Sequence, residues 1–135
     1  SHDGAAGELV SRHHLEAGIA ACHAAAPSWE VTDWPRVLEL YDALVELDPS
    51  PVIALNRSVA LARARGPEVA AAELERLAAH GALARYHLLH ATRGEVLLEL
   101  GQRAAAAEAF REALRCPCAE PERRHLERRL AGVIA

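Results

Sequence analysis

The sequence contains no lysine and no methionine in its 135 residues. Aromatic residues make up only 4%, and β-branched residues are sparse. The chain therefore has little of what builds and fills a β-sheet. No apolar run approaches the ~18 residues a membrane-spanning helix needs. No basic segment followed by an apolar stretch opens the chain, so no secretory leader is read. The cysteines, Cys22, Cys116 and Cys118, are odd in number. Without a secretion signal they fit a reducing cytoplasm better than a disulfide framework. No glycine-rich phosphate loop and no Gly-x-Ser-x-Gly turn occurs, so two common catalytic scaffolds are excluded.

All 15 basic residues are arginine, against 19 acidic ones, for a net charge of -4. The isoelectric point is about 6.0, so bulk charge does not favour nucleic acid. Hydrophobic residues are 51% and charged residues 25%, a globular composition. The 30 alanines suggest a GC-rich coding sequence. The missing methionine suggests either a fragment of a longer protein or a removed initiator before Ser1. Residues 1–7 read as a tag or linker remnant, and residues 8–135 as one domain.

Ala, Leu, Glu and Arg dominate, and all favour helix. Seven helices are expected. The first runs from Leu9 to Ala26, with Leu15, Ile19, Cys22 and Ala26 spaced four, three and four. Thr32-Asp33-Trp34-Pro35 starts the second, with Asp33 as cap and Pro35 in the first turn. Its stripe is Val37, Leu40, Tyr41, Leu44 and Val45. Ser50-Pro51 starts the third, which ends at Gly66, and Pro67 opens the fourth. The fifth spans Leu83 to Leu100, the sixth Gln102 to Arg115, and the seventh begins at Glu120.

A period near 35 runs through these helices. Gly66 and Gly101 are 35 apart, as are Ala71 and Ala106, and Ala78 and Ala113. Tyr41 occupies the register of Phe110, while Glu75 breaks that column in the middle unit. The last unit reads Gly94, Gly101, Ala106, Phe110, Ala113 and then Pro117. It resembles the tetratricopeptide repeat, with the proline one residue early. Small residues at a helix crossing permit close approach, and an aromatic fills the next gap. The expected fold is all-α, a right-handed superhelix of three tetratricopeptide-like hairpins and a C-terminal capping helix. The alternative is a plain helical bundle with accidental spacing.

The reactive residues admit bland readings beside functional ones. His87 and His90 share a helix face, but a zinc site wants three or four convergent ligands. Cys116-Pro117-Cys118 is one residue shorter than Cys-x-x-Cys. No metal, no cofactor and no catalytic residue is assigned, and the chain is not read as an enzyme. The Arg123-Arg124-His125 and Arg128-Arg129 run interleaves with Glu120, Glu122 and Glu127, as a solvated helix face does. Trp34 reads as a plug at the start of its helix or as an interface anchor.

In a stacked repeat the first helix of each pair lines the groove. Asn56 and Arg63 share that face, and Glu95 and Glu99 correspond to them on the fifth helix. Arg57 and Arg93 fall near the packing edge. The candidate partner-binding set is Asn56, Arg57, Arg63, His87, His90, Arg93, Glu95 and Glu99. Such groups can hold a peptide carboxylate or backbone. Equally, Asn56 and Arg57 can belong to an internal network that sets the stacking. The structural set is Trp34, Tyr41, Gly66, Ala71, Gly94, Gly101, Ala106, Phe110 and Ala113.

Several stretches are more particular than a generic repeat. They are Gly18-Ile19-Ala20-Ala21-Cys22-His23-Ala24-Ala25-Ala26-Pro27-Ser28, Thr32-Asp33-Trp34-Pro35, Leu40-Tyr41-Asp42-Ala43-Leu44, Pro49-Ser50-Pro51-Val52, Leu55-Asn56-Arg57-Ser58-Val59-Ala60 and Tyr86-His87-Leu88-Leu89-His90-Ala91-Thr92-Arg93. As a set, over residues 8–134, they resemble the C-terminal extension of one group of extracytoplasmic-function RNA polymerase sigma factors. Ser58 stands where that group usually has alanine. The resemblance implies a regulatory module acting on the sigma regions or on RNA polymerase, in the cytoplasm, with no direct nucleic-acid or membrane contact. A small-molecule or metal sensor, with its ligand between the His87/His90 face and the first helix, is the alternative.

Overall fold

The computed structural model describes residues 2–79 and 81–135, with side chains from residue 11 onward. Among them are seven α-helices and no strand. They are α1 (His2–Ala25), α2 (Trp34–Leu47), α3 (Pro51–Arg65), α4 (Pro67–Ala79), α5 (His87–Glu99), α6 (Arg103–Arg115) and α7 (Glu120–Ile134). A single 3-10 turn, Trp29–Val31, precedes α2. Helix α1 takes in residues 2–7, the stretch read above as a linker remnant.

The start of α2 follows its sequence signal. The Asp33 carboxylate accepts from the Arg36 amide at 3.2 Å, and Pro35 sits where no donor is needed. Trp34 is buried, and its indole Nε1 donates to the Trp29 carbonyl at 3.1 Å. Helix α5 starts later than expected, at His87 and not at Leu83. Residues 81–86 close as turns instead, with Ala84 donating to the Gly81 carbonyl and Tyr86 to that of Leu83. Leu83 is still buried, so the apolar pattern read there was real but belonged to a turn.

Helix α5 ends in a left-handed residue. Gly101 has φ of 76°. Its amide donates to Leu98 and that of Gln102 to Leu97, both at 2.9 Å. This pair of reversed bonds satisfies two carbonyls that would otherwise lack partners. Gly66, at φ 101°, closes α3 in the same backbone region.

The chain divides into two compact units, residues 1–64 and 65–135. In the first, α1 packs on α2, and the core holds Ile19, Val37, Leu40, Leu44, Ile53 and Leu61. Gly18 permits the α1/α2 approach, since a Cβ there would lie 3.2 Å from Leu40 Cδ1. Ser58 is fully buried, and its hydroxyl donates to the Ala54 carbonyl at 3.1 Å. The hydroxyl is thus satisfied inside its own helix. The expected α3/α4 hairpin falls across the boundary between the units.

In the second unit α4 packs on α5, α5 on α6, and α6 on α7. Its core joins Ala106, Ala107, Phe110 and Ala113 of α6 to Leu126 and Val133 of α7. Gly94 is buried directly under the Phe110 ring. A Cβ there would stand 2.7 Å from Cζ and 2.8 Å from Cε1. The alanine column is uneven: Ala106 and Ala113 are fully buried, whereas Ala71 and Ala78 are half-buried. Ala70 and Leu74 take the core side of α4 instead.

A glycine in the left-handed region and a helical glycine facing open space predict opposite responses. Gly101→Ala forces a side chain into the left-handed region and should cost about 1 kcal/mol. Gly132→Ala places a Cβ in open space on α7 and should add about 0.5 kcal/mol. Urea unfolding of both variants reads the two signs.

Candidate binding surface

The second unit carries an open groove of about 870 Å³ bounded by α4, α5 and α6. Its floor and walls are mostly small: Ala71, Ala72 and Ala78 from α4, and Ala105 and Ala109 from α6. Leu97 of α5 and Leu100 just past its end add larger apolar surface. Glu75, Glu108 and Glu112 line the walls, with Arg93 and His90 along α5.

The polar groups of α5 are tied together. His90 is buried, and its Nε2 lies 2.8 Å from the Ala84 carbonyl. Its Nδ1 lies 3.3 Å from the Arg93 guanidinium. Arginine only donates and a carbonyl only accepts. The tautomer that satisfies both contacts carries its hydrogen on Nε2. Arg93 continues to the Glu75 carboxylate at 2.8 Å. One chain of contacts thus links the α4–α5 turn, α5 and α4.

The first unit has a smaller pocket of about 420 Å³ between α1, α2 and α3. Ile19, Leu44 and Ile53 form its apolar part, with Tyr41 and Asn56 at its edge. Burial raises the Tyr41 phenol above its usual range. Nearby in sequence, Trp29 is 47% exposed, yet it is held on several sides. It meets Trp34 edge-on at 4.6 Å, stacks on His23 at 5.9 Å, and takes the Arg63 guanidinium at 5.7 Å.

The expected groove residues are not gathered into one site. Asn56 lines the pocket of the first unit. Arg57 pairs with Asp42 of α2 at 2.6 Å, and Arg63 covers Trp29. His87 turns to α7, where its Nε2 lies against the Glu122 carboxylate without hydrogen-bond geometry. His90 and Arg93 face the α4/α5/α6 groove. Glu95 makes a two-pronged pair with Arg129 of α7, and Arg129 also lies 5.9 Å from the Phe110 ring. Glu99 is exposed on α5 and engaged in its own contacts. Hence His87 and His90 look to different helices and do not converge. Among the described residues no group of three or more His, Cys, Asp or Glu is placed to hold a metal.

Sequence reasoning missed the acidic walls of the groove and the exposed, ring-stacked Trp29. The signal for the first was Glu75 standing in an aromatic column. Cys116 is buried and donates to the Glu112 carbonyl at 3.3 Å. Burial, with the Glu112 charge, pushes its thiol pKa up, so it resists forming the reactive thiolate.

No protein-family model matches the sequence. A protein of Rhizobium meliloti (strain 1021), described only as uncharacterized, is 43% identical over 102 residues. The match covers 76% of this chain and 24% of that protein, so the chain spans about a quarter of that relative's length. Among solved structures, the NMR structure of the first TPR domain of the human RPAP3 protein matches with a TM-score of 0.60. The two are 19% identical, and the match covers 93% of this chain and 94% of that one. The fold is the tetratricopeptide one: helical hairpins with a C-terminal helix. No helix of the described residues is long and apolar enough to cross a membrane.

The His90 chain can be dissected by two substitutions. His90→Ala removes a buried ring and leaves the turn without its donor, and should cost about 1–3 kcal/mol. Arg93→Ala removes a pair whose acidic member is largely exposed, and should cost under about 1 kcal/mol. Denaturant midpoints in that order check the assignment.

Proposed function

We propose that this chain is a non-catalytic protein-interaction module, the C-terminal extension of an extracytoplasmic-function sigma factor. It holds the sigma regions in an active or inactive arrangement, or contacts core RNA polymerase. The observation that carries the interaction role is the tetratricopeptide fold with an open, mostly apolar groove. The sigma assignment rests on the set of motifs running from Gly18 to Arg93. That the matched segment is about a quarter of its relative fits a module that works beside other regions.

The mechanism is differential binding. The module favours one arrangement of its partners only by contacting that arrangement more strongly. No bond chemistry is required of it. A function in the cytoplasm, on protein and not on nucleic acid, follows from the same reading. The sensor reading, with His87 and His90 around a metal, has less support. Both ring nitrogens of His90 are already engaged, and His87 turns to α7.

The test is retention by the immobilised 135-residue chain. The sigma regions encoded with it, or core RNA polymerase, should be retained at micromolar concentration. Retention of neither, together with a melting shift of several degrees on adding zinc, would favour the sensor.

A further inference from the structure

We propose that the α4/α5/α6 groove receives a cationic amphipathic helix, its apolar stripe on the alanine surfaces and its basic residues against Glu75, Glu108 and Glu112. This deepens the interaction-module reading and rests on it.

Three observations point there. The first is where Glu75 lies. Glu75 stands in the register that Tyr41 and Phe110 occupy in the neighbouring repeats. Phe110 is wholly buried and fills its gap. Glu75 instead leaves its side chain 59% exposed and reaches Arg93. Ala70 and Leu74 take the core side of α4, and a groove of about 870 Å³ lies open beside Glu75.

The second is the shape of the lining. Alanines at 71, 72 and 78 face alanines at 105 and 109. Small side chains on opposing helices let a third helix lie close, and a helix laid in an apolar groove is a recurring recognition mode.

The third is charge. The lining holds three carboxylates against one guanidinium, and that guanidinium, Arg93, is already paired with Glu75. Glu108 and Glu112 pair with Arg111 and Arg115, which lie outside the lining. Those are exposed pairs one helical turn apart, worth little to the fold. A partner's cations can replace them at small cost. Carboxylates on both walls call for basic residues on both flanks of the incoming stripe, which separates this occupant from an acidic or neutral helix.

The test titrates the 135-residue chain with a fluorescent synthetic peptide of about four helical turns. Its leucines and alanines follow i, i+3, i+4, i+7 spacing, and lysines flank the stripe. A second peptide carries glutamates at the lysine positions. The lysine peptide should bind at least about tenfold more tightly, and its affinity should fall as salt rises. Glu108→Gln with Glu112→Gln should weaken it about tenfold without moving the melting temperature. Ala105→Trp, at an exposed lining position, should block it by filling the groove. Equal binding of the two peptides overturns the proposal, as does binding that survives Ala105→Trp. Self-association of the chain that Ala105→Trp abolishes also overturns it, in favour of a second copy. If neither peptide binds while the sigma regions or polymerase are still retained, the groove assignment fails and the module reading stands.

Discussion

The spacing of α5 and α6 depends on one contact, the Phe110 ring lying on the bare backbone of Gly94. A single methyl group on Gly94 would stand within 3 Å of the ring, closer than atoms in a packed interior tolerate. Much of the second unit follows from that closeness. Ala106 and Ala113 can be fully buried on α6, and α7 can cover the remaining side of α6 with Leu126 and Val133. The first unit uses a looser version, Gly18 under Leu40. The alanine-rich composition therefore reflects geometry as well as helix propensity. Alanine at these positions is what lets helices of ordinary length meet without large side chains between them.

The polar side chains then divide by task. Those that reach across helices are spent inside each unit. Arg57 joins α3 to α2, Arg93 joins α5 to α4, and Glu95 joins α5 to α7. Arg123 and Arg103 cap carbonyls of Leu114 and Val133. Such contacts are individually weak where exposed, but together they orient helices whose packing faces are small and smooth. The carboxylates on the outer face of α6 have only near neighbours on their own helix.

Much of the fold was legible because helix signals are local. Asp33 and Pro35 started α2 where expected, and Gly66 and Gly101 closed helices in the left-handed conformation their positions required. The Gly94–Phe110 relation was legible as spacing, since the two fall at the small-residue and aromatic positions of the tetratricopeptide pattern. The late start of α5 was not, because an apolar Leu83 satisfies burial equally well from a turn. The site was read less well. Glu95 and Arg129 are 34 residues apart, and His87 and Glu122 are 35 apart. Nothing in a local pattern distinguishes a groove-lining glutamate from one that clamps a capping helix. The groove itself was visible only as a defect, Glu75 in an aromatic column.

The most direct test of the central contact is a double-mutant cycle at Gly94 and Phe110, read by urea unfolding. If the ring and the missing side chain share one space, Gly94→Ala alone costs about 2–3 kcal/mol. The same change made in Phe110→Leu then costs at least about 1 kcal/mol less, because the smaller side chain leaves room for the methyl. Strict additivity of the two changes would contradict the account.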